Sequence, residues 1–339
     1  MLALTPMLAL ACAAGDACVP AGENEAIRAI AAQTLIRYGR DLALRPPAAP
    51  ALRDAHAKAH GCVAARFVVA GDVPEALRVG LFAAPGDYAA VIRFSNGSAL
   101  PADDHRGDGR GMAVKLTGVA HAPQGQDFLM INHPVFFVRD AADYTGLTRA
   151  MAEDRGAQFF ATHPAEAAIA AATARPIDDV LEQRYFSQVP YRLGATFAKF
   201  AAFPAACPGH GAAAPAPQPA GPDGADFLAA RLYQRLAGAP ACFDFALQPQ
   251  TDPATDPIED ATVPWKGPFH TVAHIRIEPA PPPTSEDRAV CENLQFSPWH
   301  SLEAHAPAGG INRVRRVIYP MIFDLRHRLN ANTDERKDP

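Results

Sequence analysis

Four short apolar runs, at residues 62–69, 89–94, 111–116 and 127–131, follow one another with Gly, Asp and Asn between them, and this succession constrains the fold most. Such runs, punctuated by turn-forming residues, read as strands, and successive short strands suggest an antiparallel sheet or a barrel. Further strands are expected at 195–203, 243–247 and 270–277. Apolar residues at helical spacing (Ile27, Ile30, Ala31, Leu35, Leu42) predict a helix over Glu23–Leu44 that ends before Pro46. Ala-rich helical segments fill 141–182, broken at Pro164 and Pro176, and a short helix is expected at 227–237. The last helical segment, 313–329, is interrupted by Pro320, because proline lacks an amide donor and crowds the preceding turn. The tract 204–224, of Ala, Pro and Gly, reads as an exposed loop, as do the proline clusters at 46–47 and 279–283. No repeat and no domain-scale linker interrupts the pattern. The expectation is α+β: a single domain over 23–339 built round a sheet, preceded by an N-terminal segment, 1–22.

Bulk properties narrow the function classes. A chain of 339 residues with 49% hydrophobic and 20% charged residues is globular and can bury one large core or two ordinary ones. A net charge of -5 without a dense Lys/Arg run gives no basis for nucleic-acid binding. The body of the chain has no apolar stretch of about 20 residues, so no membrane-spanning helix is expected. Residues 1–14 are apolar and end in small side chains like a signal-peptide core, yet no Lys or Arg precedes them. A weak signal sequence and a loosely packed terminus both stay open, and with them a cytoplasmic or a periplasmic location. Six cysteines (Cys12, Cys18, Cys62, Cys207, Cys242, Cys291) form no CxxC pair and no zinc spacing. In the periplasm Cys207 could pair with Cys242 or Cys291; in the cytosol all would be thiols.

Four clusters could carry chemistry. His56 and His60, four apart within 53–61, have no third metal ligand at a recognisable spacing, and alone they read as a solvated loop. Arg93 lies inside an apolar strand, where an unpaired charge costs several kcal/mol, so it requires a buried anion or acceptor. The glycines of 107–111 match no phosphate loop and read as tight turns. Asn132-His133 interrupts a strongly apolar run. Arg315 and Tyr319 are four apart, so on a helix the guanidinium can reach the phenol and favour the phenolate, the state a tyrosinate metal ligand needs.

Taken in order, these clusters resemble the catalase superfamily. The motifs are Arg53-x-x-His56-Ala57-Lys58-x-x-Gly61, Arg93-Phe94-Ser95, Arg110-Gly111-x-Ala113-x-Lys115, Asn132-x-Pro134-Val135-Phe136-Phe137-x-Arg139-Asp140 and Arg315-x-x-x-Tyr319-Pro320. The likeness covers roughly 53–330. It is closest to the small bacterial catalase-related peroxidases, on 185–194, 256–260, 296–300 and the Arg-His-Arg-Leu-Asn ending at 326–330. The resemblance implies a closed antiparallel β-barrel with surrounding helices that encloses haem b. It further implies that His56 is the distal histidine, hydrogen-bonded by Ser95, and that Asn132 is the distal asparagine. Tyr319 would be the iron ligand, held as phenolate by Arg315. Arg53 and Arg93 would meet the haem propionates, with Arg326 or Arg328 adding a further contact, and Phe137 would border the cofactor. Tyrosine ligation of haem iron is a known property of catalases.

Departures from the family pattern bear on the reaction. The chain stops soon after the tyrosine helix, and the stretch after Tyr319-Pro320 lacks the family's Asp-Thr-His. Ala55 stands where catalases carry a valine that narrows the channel, and His60 and His133 are additional histidines. These changes favour turnover of hydrogen peroxide or organic hydroperoxides with a small organic donor over efficient dismutation. Rearrangement of fatty-acid hydroperoxides is the alternative within the family, and a haem-binding protein without turnover the alternative outside enzymes. NADPH binding is not expected, and the subunit number stays open, a homodimer included.

Overall fold

The computed structural model describes residues 19–46, 49–208 and 224–334. Its strands are β1 (Ala59–Val69), β2 (Gly86–Asn96), β3 (Arg110–Leu116), β4 (Gln126–Ile131), β5 (Tyr185–Phe186), β6 (Tyr191–Leu193), β7 (Thr196–Ala205), β8 (Ala241–Pro249) and β9 (His270–Ile277). They pair antiparallel in the order β5-β4-β3-β2-β1-β9-β8-β7-β6, and β5 also pairs with β7. That last pairing closes the sheet into a barrel, with β6 a hairpin appended to β7. The two-residue β5 bridges this seam, pairing with Ile131 of β4 and with Ala201 and Ala202 of β7.

Side-chain alternation decides what lies inside the barrel. Val63, Ala65, Phe67 and Val69 of β1, Ile92 and Phe94 of β2, Met112 and Val114 of β3 and Phe128 and Met130 of β4 all join one buried core. Phenylalanine rings fill the interior: Phe128 lies 4.6 Å from Phe245, and Phe67 5.1 Å from Phe245, centroid to centroid. Arg93 and Ser95, at the alternate positions of β2, therefore face away from the interior. The site is built on the outer face of the barrel.

Helices cover that face. They are α1 (Glu23–Ala43), α2 (Ala141–Ala152), α3 (Gly156–Thr162), α4 (Pro164–Thr173), α5 (Phe227–Leu236), α6 (Ser285–Asn293) and α7 (Gly310–Asp334). Ile27 and Ile30 of α1, Ala141 of α2 and Val314 of α7 form a second, smaller apolar cluster that packs the three helices together. One expectation for the helices needs correction, and one helix was not expected. Pro320 does not interrupt the last helix, because it and Arg316, whose carbonyl loses its amide partner, both lie on the exposed side of α7. The proline-rich stretch before residue 284 leads into α6, which starts with a capping box in which Thr284 and Asp287 each bind the other's backbone amide.

Two disulfides join distant segments, Cys207–Cys242 and Cys62–Cys291. The first is one of the two pairings open to Cys207; Cys291 instead takes Cys62, 229 residues away in sequence. No helix among the described residues is long and apolar enough to cross a membrane. The expectations for residues 1–18 and for most of the 204–224 loop fall outside the described residues, although β7 itself runs to Ala205.

Candidate active site

The loop before β1 is fastened to the end of β2. The amides of His56 and Ala57 donate to the carbonyls of Gly97 and Ser98, and Arg93 Nη2 donates to the His56 carbonyl at 2.9 Å. His56 takes a left-handed backbone, φ 57°, which this fastening imposes and which turns its ring back over the sheet. His56 Nδ1 lies 3.0 Å from Ser95 Oγ. Opposite Ser95 on β3 is Gly111, where a Cβ would stand 2.6 Å from His56 Nδ1 and 2.9 Å from Ser95 Oγ. The imidazole thus packs on a bare Cα, and Gly111 belongs to a strand face rather than to a turn. His56 is half-buried. Burial, then the charges of Arg93, Arg315 and Arg53, lower its pKa to about 3.

Asn132, just beyond β4, accepts from the Arg110 amide at 2.8 Å and donates Nδ2 to the Thr173 carbonyl at 3.1 Å. One amide proton remains to be given. Beneath these groups a buried polar network fixes the loop and strands. Asp104, fully buried, accepts from Lys58 Nζ (2.8 Å), Asn96 Nδ2 (2.9 Å) and the Leu228 amide (3.1 Å). Arg110 donates to Asn96 Oδ1 and to the carbonyls of Asp104 and Arg106. His60 is part of this network through Asn96 Oδ1, 2.8 Å away, and burial lowers its pKa. His133 only closes its own turn, on the Val135 carbonyl.

Across from the loop, α7 presents Arg315, Tyr319, Ile322 and Arg326. Spacings of four, three and four keep these on one helical face. Both ends of α7 are clasped: Arg313 pairs with Glu23 and Glu259, while Asn330 exchanges two hydrogen bonds with the backbone of Ala51. The Arg315 guanidinium lies 5.5 Å from the Phe136 ring and within electrostatic range of His56, Tyr144 and Tyr191. This helical face therefore looks toward the histidine loop. Tyr319 is half-buried, near Tyr144 and Tyr191. The spacing predicts a guanidinium–phenol contact, but Arg315 instead donates to Asn312 Oδ1 at 3.3 Å. Asn312, one turn earlier, is held for this by its own Nδ2 bonds to the carbonyls of Pro190 and Ala308. Phe137 stacks on Phe136 at 4.1 Å, and both rings meet Tyr144, forming an aromatic wall.

Arg53, Arg93 and Arg326 converge, and the group between them is one that sequence reasoning missed. Arg53 Nη1 and Arg93 Nη2 hold the two carboxylate oxygens of Glu292, while Arg326 Nη1 donates to the Glu292 carbonyl at 2.6 Å. Arg53 Nη2 also donates to the Leu294 carbonyl at 2.8 Å. The anion that a buried Arg93 requires is thus supplied from α6, a helix with no motif in the sequence. Arg326 occupies the cluster, whereas Arg328 is exposed on another side of α7. Burial, then repulsion from Arg93, lowers the pKa of Arg53 to about 9.

Residues 51–165 match the family model described as Catalase. A bacterial catalase structure aligns with TM-score 0.62 at 17% identity, over 87% of this chain and 60% of that one. A fungal catalase aligns at 0.63 and 18% identity, over 88% and 62% of the two chains. Catalase A of Saccharomyces cerevisiae gives 0.63 and 17% identity, over 88% and 64%. The chain thus spans under two thirds of the length of these catalases. No curated protein matches it. About a third of the chain thus matches the Catalase family model, and its barrel with covering helices is the fold of these catalases.

The residues present fit haem. Three guanidiniums share one carboxylate, which leaves two positive charges for further anions, and Arg93 Nε is buried without a partner. A half-buried phenol on the facing helix and an aromatic wall complete a donor set suited to a flat, apolar dicarboxylate.

Proposed function

We propose that the protein is a haem-dependent peroxidase that reduces hydrogen peroxide or organic hydroperoxides with an external organic donor, with weak dismutation at most. The observation that carries this reading is His56: a half-buried imidazole on the outer face of the barrel, held with Nδ1 3.0 Å from Ser95 Oγ and packed on Gly111. Tyr319 would hold the iron of haem b, with Arg53, Arg93 and Arg326 toward its carboxylates and Phe137 in the apolar wall. When bound, the haem supplies the electrons that cleave the O–O bond.

The protein's own groups then manage protons and orientation. His56 Nε2 accepts a proton from the peroxide and returns it to the departing oxygen, and Ser95 keeps the ring turned for both transfers. A pKa near 3 leaves the ring unprotonated throughout the neutral range, ready to act as base and quick to release what it accepts. Asn132 offers its remaining amide proton to the peroxide. Ala55, small and exposed beside His56, supports access by molecules larger than hydrogen peroxide. The two disulfides favour an oxidising compartment.

The test is donor oxidation by haem-loaded wild type and His56→Ala. A loss of roughly 10²–10⁴-fold, with the Soret band retained, is expected from removing a general acid–base group. Equal rates in the two proteins would leave a haem binder without this chemistry.

A further inference from the structure

Helix α6 is held in place by unusual means. Residues Ser285–Val290 are exposed, and Cys291 is its only buried side chain. A helix this short with so little apolar burial is marginal by itself. What anchors it is its last turn: the Cys62–Cys291 disulfide ties it to β1, and the next residue, Glu292, enters the arginine cluster. Its terminal carbonyls point the same way, since those of Glu292 and Leu294 accept from Arg326 and Arg53. The carboxylate and the partial negative charge of a helix C-terminus thus meet three guanidiniums together.

We infer that the last turn of α6 is a built-in occupant of the arginine cluster, in which Glu292 takes guanidinium donors that a ligand carboxylate would use and the Cys62–Cys291 bond keeps it there. The inference rests on the haem reading above and adds a control to it. A tethered carboxylate competes as an intramolecular ligand, at an effective concentration fixed by the tether rather than by solution. Its presence stabilises the ligand-free protein, where three arginines would otherwise face one another unpaired. The same presence weakens and slows entry of a carboxylate-bearing porphyrin, which has to displace Glu292 first. Glu292 is in this sense a positioning residue for the arginines, with no contact to the reacting atoms.

Haemin titration of the ligand-free protein, followed at the Soret band, tests this in wild type, Glu292→Gln, Glu292→Asp and the double variant Cys62→Ser/Cys291→Ser. Glu292→Gln is expected to bind haemin about tenfold tighter, the worth of one charge-assisted hydrogen bond released to the ligand. Its ligand-free form is expected to melt at a lower temperature than wild type. Glu292→Asp keeps the charge but shortens the reach, so it folds as wild type does and gains less. The double serine variant is expected to take up haemin faster. Haemin dimethyl ester, which has no free carboxylates, is expected to bind wild type and Glu292→Gln alike. Unchanged or weaker haemin binding by folded Glu292→Gln and Glu292→Asp, with wild type binding normally, overturns the inference alone. Unchanged uptake by the double serine variant overturns the part given to the disulfide. No haemin uptake by any of the four proteins overturns the haem reading and the inference together.

Discussion

At the scale of single residues, the placement of the His56 ring depends on one absent side chain. A methyl group on Gly111 would collide with both the His56 ring and the Ser95 hydroxyl, and neither is the flexible end of a long side chain. Gly111→Ala is therefore expected to lower donor oxidation at least tenfold, because the imidazole must turn away from Ser95, while haem uptake persists. Wild-type rates in that variant would show that the His56–Ser95 contact does not govern turnover. A second residue-scale prediction concerns folding. Asp127, fully buried, pairs with Lys115 at 2.7 Å and His300 at 2.9 Å and accepts from the Ser297 amide. Removing one partner of a buried ion pair leaves the other uncompensated, so Asp127→Ala is expected to lose about 3–5 kcal/mol in urea unfolding. A change below about 1 kcal/mol would mean that the site readily hydrates Lys115.

Much of this scale was legible in the sequence and some was not, for physical reasons. Arg93 in an apolar strand announced a buried anion, because burial of a lone charge is prohibitive. Which anion it is could not be read, since Glu292 comes from 199 residues further along the chain and from a helix with no distinguishing motif. Arg315 and Tyr319 were legible as a one-face pair, but the rival acceptor on Asn312 depends on where the Pro190 carbonyl lies. Gly111 was visible inside a motif, yet only the cross-strand register explains why it is glycine.

Elements followed their local signals closely where periodicity was strong. The central strands and α1 lie where apolar spacing puts them, within a few residues at the ends. Pro320 misled because a proline on the exposed side of a helix whose two ends are clasped costs one hydrogen bond without ending the helix. Helix α6 was missed because its residues show almost no apolar face; the disulfide and the arginines hold it instead. Cys207–Cys242, which joins the end of β7 to the start of β8 across 35 residues, shares no residue with the arginine cluster and serves as a test of disulfide stabilisation. Closing a loop of that length restricts the unfolded chain by about 4 kcal/mol in the chain-entropy description. Cys207→Ser/Cys242→Ser is expected to lower the urea midpoint accordingly, with haem uptake unchanged. An unshifted midpoint would show that the unfolded chain already holds these ends together.

For the molecule as a whole, the barrel interior is filled with aromatic side chains, so chemistry is confined to the outer face that the helices roof over. Burial also acts on two histidines, one on each side of the barrel wall. His56 has its pKa lowered to about 3 and His305, which accepts the Leu81 amide, to about 4, both chiefly by burial. In the unfolded chain each takes a proton near the ordinary value of 6.5. Below that pH the unfolded state binds more protons than the folded one, so stability falls with falling pH until the folded values are reached. Above it these two groups contribute no slope. Urea midpoints are expected to drop between about pH 6.5 and pH 4, and His305→Gln is expected to flatten that slope. A midpoint that holds steady or rises over this interval would contradict the burial of neutral imidazoles.

The central claim is that the outer face of this barrel holds haem through Tyr319. Haemin titration of wild type against Tyr319→Phe, with the Soret band and the charge-transfer bands recorded together, addresses it most directly. The account predicts stoichiometric uptake by wild type with the spectrum of a phenolate-ligated ferric haem, and loss of that spectrum in the folded Phe variant. Identical spectra for the two proteins, or no uptake by wild type, would contradict it.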